Sequence, residues 1–325
     1  MKEAVLEILR HHRGTFISGQ ELSERLGITR TAVWKHIKTL QQEGYRIEAQ
    51  PRRGYCLQEV PDFLYPEELR AGLSTSCIGR NIVHYHEVGS TNTVAKQLAE
   101  RGEREGTVVI AEKQTEGRGR LGRRWESPYG KGIWLSIILR PRVATDAAPS
   151  ITLLAAVAVA KAIKNFCGLE ALIKWPNDIL VRGKKVCGIL TEMKADMDVV
   201  EYVVVGIGLN ANLEVQDFPE EIRDKATSLR ILLNKKISRV NLVRKLFGEF
   251  ESLYNLFREH GFSPIRSMWK EMNTTLGQQV QVNTLTSVYS GLAVDITEDG
   301  GLVVETKEGT KVFYGGEVSL RKHLN

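Results

Sequence analysis

The densest chemistry in this 325-residue chain sits in GRGRLGRRW, residues 117–125, where four arginines and three glycines precede a tryptophan. Arginine forks match phosphate and carboxylate oxygens, and glycines allow close backbone approach. One reading is therefore an anion clamp built from Arg118, Gly119, Arg120 and Arg123, with Trp125 offering a ring for stacking. The others are a solvated basic turn, or an Arg/Gly arm for nucleic acid; what Arg124 touches stays open. The stretch has neither strand alternation nor a helical stripe, so it reads as a loop. It is not a phosphate loop of the GxxxxGK[ST] type, because no Lys-Ser/Thr pair follows the glycines.

Three further stretches have functional spacing. In GSTN, residues 89–92, Ser90, Thr91 and Asn92 open a helix after a strand; free N–H groups and hydroxyls there bind a small polar group or merely cap the helix. KWPNDILVRGKK, residues 174–185, breaks at Pro176, presents Asn177 and Asp178, and turns into a strand that starts at Lys184 and Lys185. Asp178 could ligate Mg2+ beside a polyphosphate and Lys185 could point inward, or the whole is a surface hairpin. GIGLNANL, residues 206–213, ends a strand on glycines before Asn210, as a base contact or a turn.

The elements that must hold these stretches are legible. The apolar runs NIVHYHEV, TVVIAEKQ, GIWLSIILRP, LIKWPNDILV, KKVCGILTEM and VVEYVVVGIGLN alternate with helical segments expected over residues 92–101, 149–166 and 239–260. That is a mixed sheet with flanking helices. Near the N-terminus Ser18 and Glu21 predict a capping box, Gly27 a stop, and Thr29 the cap of a second helix. Val33, Ile37 and Leu40 form that helix's buried stripe, and Arg30, Thr31, Trp34, Lys35 and Lys38 occupy the opposite face. Tyr45/Ile47 and Tyr55/Leu57 then flank a Pro51-Arg52-Arg53-Gly54 tip. This is the pattern of a winged helix-turn-helix (helix-turn-helix 19–38, wing 45–58). From Thr29 to Arg53 six cations face two acids, which favours DNA over protein docking. The last fifty residues read as a small SH3-like β-barrel of short strands. The fold class is thus α+β multidomain, with boundaries expected at 1–63, 64–273 and 274–325.

A formal charge of +6 and a pI near 9.0 suit an acidic partner. Four scattered cysteines form neither a zinc motif nor a disulfide framework, which fits a reducing cytoplasm. The N-terminus is an amphipathic helix with acids, not a signal peptide. The apolar stretch from Ile151 to Ile163 is too short to cross a bilayer and is expected as a buried helix rather than a membrane contact.

GSTN, Gln114 with GRGRLGRRW, KWPNDI with Lys185, GIGLNANL and a terminal GGEVSLR, in this order over about residues 18–321, closely resemble the biotin protein ligases. The winged helix-turn-helix makes the chain similar to the bifunctional kind, ligase and biotin operon repressor in one. The resemblance implies a class II synthetase-like ligase domain that makes biotinyl-5'-AMP from biotin and ATP with Mg2+ and passes the biotinyl group to a lysine of a biotin carboxyl carrier domain. It implies biotin contacts from Ser90, Thr91, Asn92, Gln114, Arg118, Gly119, Arg120 and Lys185. Adenylate contacts are implied for Arg118, Arg120, Arg123, Trp125, Asn177, Lys185 and Asn210, with residues 211–229 as a second closing segment. Lys185, Arg118 and Asp178 are the expected catalytic residues, Asp178 serving metal or carrier lysine. Arg30, Thr31, Trp34, Lys35, Lys38, Arg52 and Arg53 would meet operator DNA as a homodimer organised by the adenylate. Leu121 stands where relatives carry another cation. A small-ligand-sensing repressor without catalysis and a lipoate or octanoate ligase are the competing readings.

Overall fold

Helix caps set the first elements of the chain. A computed structural model describes residues 1–320 apart from Arg142, Met197, Asp198, Leu285, Thr286 and Gly316, and divides into two compact units, Met1–Phe63 and Leu64–Asn325. In the first unit, α1 (Lys2–His11), α2 (Gly19–Leu26) and α3 (Arg30–Gln42) precede a hairpin of β1 (Arg46–Gln50) and β2 (Gly54–Glu59). Ser18 Oγ accepts the Glu21 N–H at 3.0 Å and Thr29 Oγ1 accepts that of Ala32 at 3.2 Å. The expected capping box is only half made, because the Glu21 carboxylate turns to Arg25 one turn on, at 2.6 Å. Gly27 ends α2 at φ 65°, a left-handed conformation that glycine adopts without strain. Val33, Ile37 and Leu40 are buried with Val5, Leu6 and Leu9, so the predicted stripe is the unit's core contact.

The second unit is built on a seven-stranded mixed sheet. After α4 (Pro66–Arg70), its strands and first helices are β3 (Ile82–Val88), α5 (Thr91–Glu100), β4 (Val108–Gln114), β5 (Ile133–Leu139), α6 (Ala148–Cys167), β6 (Leu172–Lys174), β7 (Asp178–Val181), β8 (Lys184–Asp196) and β9 (Val199–Leu209). The order is β3-β4-β5-β9-β8-β7-β6, parallel only between β3 and β4, which α5 connects. Strand alternation divides the side chains between two layers. Val109, Ile138, Tyr202 and Val204 pack with Ala95 and Ala99 of α5. Their neighbours Val108, Ile110, Ile137, Val203 and Val205 join the large core of α6, α8 (Arg239–His260) and α9 (Ser263–Met272); the short α7 (Leu229–Leu233) precedes α8. The sequence reading places no helix over α9, yet Pro264 in its first turn and buried Ile265 and Trp269 explain one.

Helix α6 runs to 20 residues, longer than expected. By length and hydropathy alone Pro149–Cys167 passes for a membrane span. Its apolarity instead serves the core: Ile151, Leu154, Val157, Ala158 and Ile163 are fully buried. The chain ends in a five-stranded antiparallel sheet of β10 (Gln279–Asn283), β11 (Val288–Ile296), β12 (Leu302–Thr306), β13 (Gly309–Phe313) and β14 (Glu317–Leu320), ordered β13-β12-β11-β10-β14. Val280, Ala293, Leu302 and Val304 join the same buried cluster as α6.

Candidate active site and nucleic-acid interface

Strand register opens the site. On the α5 side of the sheet, Gly208 pairs with both Trp134 and Gly188, and Gly206 with both Ser136 and Leu190. The glycines leave a trough where neighbouring strand positions carry side chains. Trp125 enters it: a β-carbon on Gly208 or Gly188 would lie 2.5 Å or 2.9 Å from its ring. The indole Nε1 is buried with no hydrogen-bond partner among the described residues. Above the trough is a cavity of about 1020 Å³, large enough for two small substrates.

That cavity gathers the predicted residues. Ser90, Thr91, Asn92 and Gln114 line one end. Ser90 opens α5 without capping it through its hydroxyl, so the capping alternative fails for that side chain. Gln114 Oε1 accepts from Thr91 N–H at 2.8 Å and Oγ1 at 3.0 Å, and its Nε2 donates to Ser127 Oγ at 3.0 Å. Asn92 Nδ2 donates to Leu190 O at 3.1 Å and Glu192 Oε2 at 2.9 Å, while its Oδ1 accepts from Ser136 Oγ at 2.6 Å. Asn92 therefore braces this end through a buried network rather than standing free.

The other end carries Asn177, Asp178, Lys185 and Asn210. Lys185 Nζ lies 2.5 Å from Asp178 Oδ1 and 5.2 Å from the centroid of the Trp125 ring, which makes one fixed cation between a carboxylate and an aromatic face. Its main chain is held as well, donating to Lys225 O at 2.8 Å and accepting from Thr227 N–H at 2.9 Å. Asn177 donates to Ile189 O at 2.7 Å and accepts from Arg120 at 3.3 Å. Asn210 donates to Thr227 O at 3.1 Å. It thereby pins residues 211–229, whose Leu213 and Phe218 pack with Trp134 beside Trp125.

GRGRLGRRW is a tight loop, not an open arm. Gly119 N–H donates to Arg123 O at 2.7 Å and Trp125 N–H to Gly117 O at 2.8 Å. Gly119, Arg120 and Arg123 line the cavity with Arg118, although the exposed Arg118 guanidinium donates to Thr93 Oγ1 at 2.7 Å, over the start of α5. Arg124 lines the cavity as well; its side chain is 74 % exposed and pairs with Glu126 at 2.9 Å. Leu121, 64 % exposed with φ 56°, contributes no charge.

In the first unit, Arg30, Thr31, Trp34, Lys35 and Lys38 are exposed along α3, as are Arg52 and Arg53 at the wing tip. Arg53 lies over the Phe16 ring at 4.2 Å and bonds Gln50 at 2.9 Å, which fixes the tip; Arg52 adopts φ 65°. Of the terminal motif, Gly316 and Arg321 lie outside the described residues.

Three family models match segments of the chain: an HTH domain over residues 2–56, the Biotin/lipoate A/B protein ligase family over 86–210, and the Biotin protein ligase C terminal domain over 275–321. The bifunctional ligase/repressor BirA of Bacillus subtilis (strain 168) is 42% identical over 320 residues, 98% of each chain. The chain belongs to the bifunctional biotin ligase/repressor family. A second member, from Escherichia coli (strain K12), is 29% identical over 95% of this chain and 94% of its own. The solved biotin protein ligase from Aquifex aeolicus in complex with biotin and ATP matches with a TM-score of 0.65 at 31% identity, covering 75% of this chain and 99% of its own.

For a member of this family, sequence reasoning missed the residues that brace the site. Glu192 takes Asn92 and Lys96, the latter at 2.6 Å. Burial works against the Glu192 charge, yet those hydrogen bonds and the Arg118 charge hold its carboxyl below the usual range. Thr93 holds Arg118, and Ser136 links Thr91 with Asn92 at 2.8 Å and 2.6 Å. The one available signal was GIG in β9, two glycines on the same strand face, joined by a lone glycine in β8.

Proposed function

We propose that this chain joins biotin to ATP as biotinyl-5'-AMP, transfers the biotinyl group to a lysine of a biotin carboxyl carrier domain, and represses transcription with the adenylate as corepressor. The observation that carries this reading is the Lys185–Asp178 pair at 2.5 Å, set beside Trp125 in a cavity shared with Ser90, Gln114 and the arginine loop.

In the first half-reaction a biotin carboxylate oxygen attacks the α-phosphorus of ATP, and the Pα–O bond to pyrophosphate breaks. Lys185, fixed by side-chain and main-chain partners, stabilises the charge that builds on the phosphoryl oxygens, and Arg118, Arg120 and Arg123 neutralise the departing phosphates. In the second, the carrier lysine amine attacks the acyl carbon and AMP leaves; Asp178 accepts the amine's proton. Ser90, Thr91 and Gln114 hold the ureido ring of biotin, braced through Asn92, and Trp125 supports the adenine. Among the described residues no group of three His, Cys, Asp or Glu could hold a metal, and Asp178 is already paired. The donor set fits Mg2+ arriving on the nucleotide and neutralising phosphate charge, with Asp178 the side chain that would reach it.

We assign residues 1–63 to operator binding, 64–273 to catalysis and 274–325 to the C-terminal domain. The adenylate organises a homodimer that presents two winged helices to two half-sites. The free thiols of Cys56, Cys77, Cys167 and Cys187 support a reducing, cytoplasmic setting.

Mass spectrometry of the purified chain after incubation with biotin and Mg-ATP tests the reaction, with a carrier fragment added in a parallel sample. A retained biotinyl-AMP mass and a biotinylated carrier are expected. Retained biotin without either product would leave a sensor without catalysis, and preferential use of lipoate or octanoate in competition would leave the related ligase.

A further inference from the structure

Trp34 is the large apolar side chain on an otherwise cationic helix face. It is 49 % exposed in the first half of α3, while Val33, Ile37 and Leu40 supply that helix's contact with the core. Around it, Arg30 and Thr31 lie one turn before and Lys38 one turn after, with Lys35 adjacent; all are exposed. Lys38 Nζ sits 6.0 Å from the Trp34 ring centroid, so the ring is steadied by a cation rather than covered by protein. Such a belt of cations matches the phosphates that flank a DNA groove. Inside the major groove the base edges are polar except for the C5-methyl group of thymine. An apolar plate framed by phosphate-seeking cations matches that methyl group.

We propose that Trp34 reads a thymine methyl in the major groove and so sets part of the operator's sequence. This rests on the operator-binding role given to the winged unit. Lys35, Lys38 and Arg30 anchor the helix to phosphates, and Trp34 supplies apolar discrimination that a Lys or Arg cannot.

The test uses the full chain with biotin and Mg-ATP, and a duplex that it selects from a random-sequence pool. Each thymine is replaced singly by deoxyuridine, which lacks the methyl but keeps every hydrogen-bonding group. The expected result is one thymine per half-site whose replacement weakens wild-type binding about fourfold, the effect of uncovering one methyl group. Trp34→Ala and Trp34→Gln bind the two duplexes equally, while Lys38→Ala binds both more weakly and keeps the preference. Both Trp34 variants keep the wild-type melting temperature, since the buried stripe is untouched. A wild type indifferent to every replacement, or Trp34 variants that keep its preference, overturns the proposal and leaves operator binding standing. A Trp34 variant that alters self-association without DNA assigns the ring to a second copy of the chain and also overturns it. Failure to select any duplex removes the operator-binding reading and this proposal together.

Discussion

At the scale of single residues, Lys185 differs from the arginines near it. Its charge is held by Asp178 at 2.5 Å and its backbone by Lys225 and Thr227, so little reorganisation separates its resting position from a productive one. Lys185→Ala is expected to slow adenylate formation by about 10²- to 10³-fold, the scale of losing one preorganised electrostatic contact, as read by biotin-dependent pyrophosphate release. Asp178→Asn separates the two half-reactions: carrier biotinylation falls further than pyrophosphate release, because the second step alone needs the carboxylate as a base. Equal losses in both steps would assign Asp178 to the nucleotide instead. Arg124 is the contrasting case, a largely exposed charge of the cavity lining that is already spent on Glu126. Arg124→Ala is expected to change neither step.

At the scale of elements, the trough exists because β8 and β9 place Gly188 opposite Gly208 on the face that Trp125 covers. Gly208→Ala pushes a methyl group into the indole. Overpacking of this kind costs about 1–3 kcal/mol, and here the displaced ring also closes the cavity, so KM for ATP should rise about tenfold or more while the melting temperature drops. An unchanged KM for ATP with a lowered melting temperature would show that Trp125 does not bound the nucleotide site. A second element-level feature is the buried Glu112 on β4, which accepts from Leu64 N–H at 2.7 Å and Arg239 at 2.8 Å. Burial opposes its charge, but His84, Arg239 and the Leu64 N–H together hold the carboxyl below its ordinary value. Glu251 behaves likewise: burial is outweighed by the N–H groups of Ser76, Ile78 and Cys77. Carboxyls lowered on folding stabilise the native state above their unfolded pKa, near 4.3. That stability is lost as pH falls through the lowered folded values. The urea midpoint of the wild type should therefore be flat near neutrality and fall steeply below about pH 4.5, and Glu251→Gln should flatten the decline.

At the scale of the whole molecule, the proposed function gives ligase and repressor one shared ligand, the adenylate, and puts the arginine loop where their requirements would meet. Arg118→Ala should weaken adenylate retention and operator affinity together, measured by retained biotinyl-AMP and by mobility shift. Unchanged operator affinity with biotin and ATP present would uncouple the loop from repression. The exposed cations Arg30, Lys35, Lys38, Arg52 and Arg53 make binding salt-dependent: with about six to ten phosphate contacts across two winged helices, affinity should fall by about 10³- to 10⁵-fold between 50 and 200 mM salt.

The amino-acid sequence alone determined most of the elements and pointed to the residues that the cavity gathers. Caps at Ser18 and Thr29, the Val33-Ile37-Leu40 stripe, the strand runs and the helix at residues 239–260 depend on neighbours within a few positions, where propensity and periodicity act. The ordered motifs also carried the family. Half of the Ser18 capping box failed because Glu21 had an equally local alternative in Arg25. Only the tertiary structure decided which side chains support one another. Asn92 meets Glu192 and Ser136, Arg118 meets Thr93, and Trp125 lies on Gly188 and Gly208. Those pairings follow from strand order and register, which place residues up to a hundred positions apart on one face. No local pattern in GRGRLGRRW could show that its tryptophan belongs over a floor of glycines, or that Arg124 pairs with Glu126.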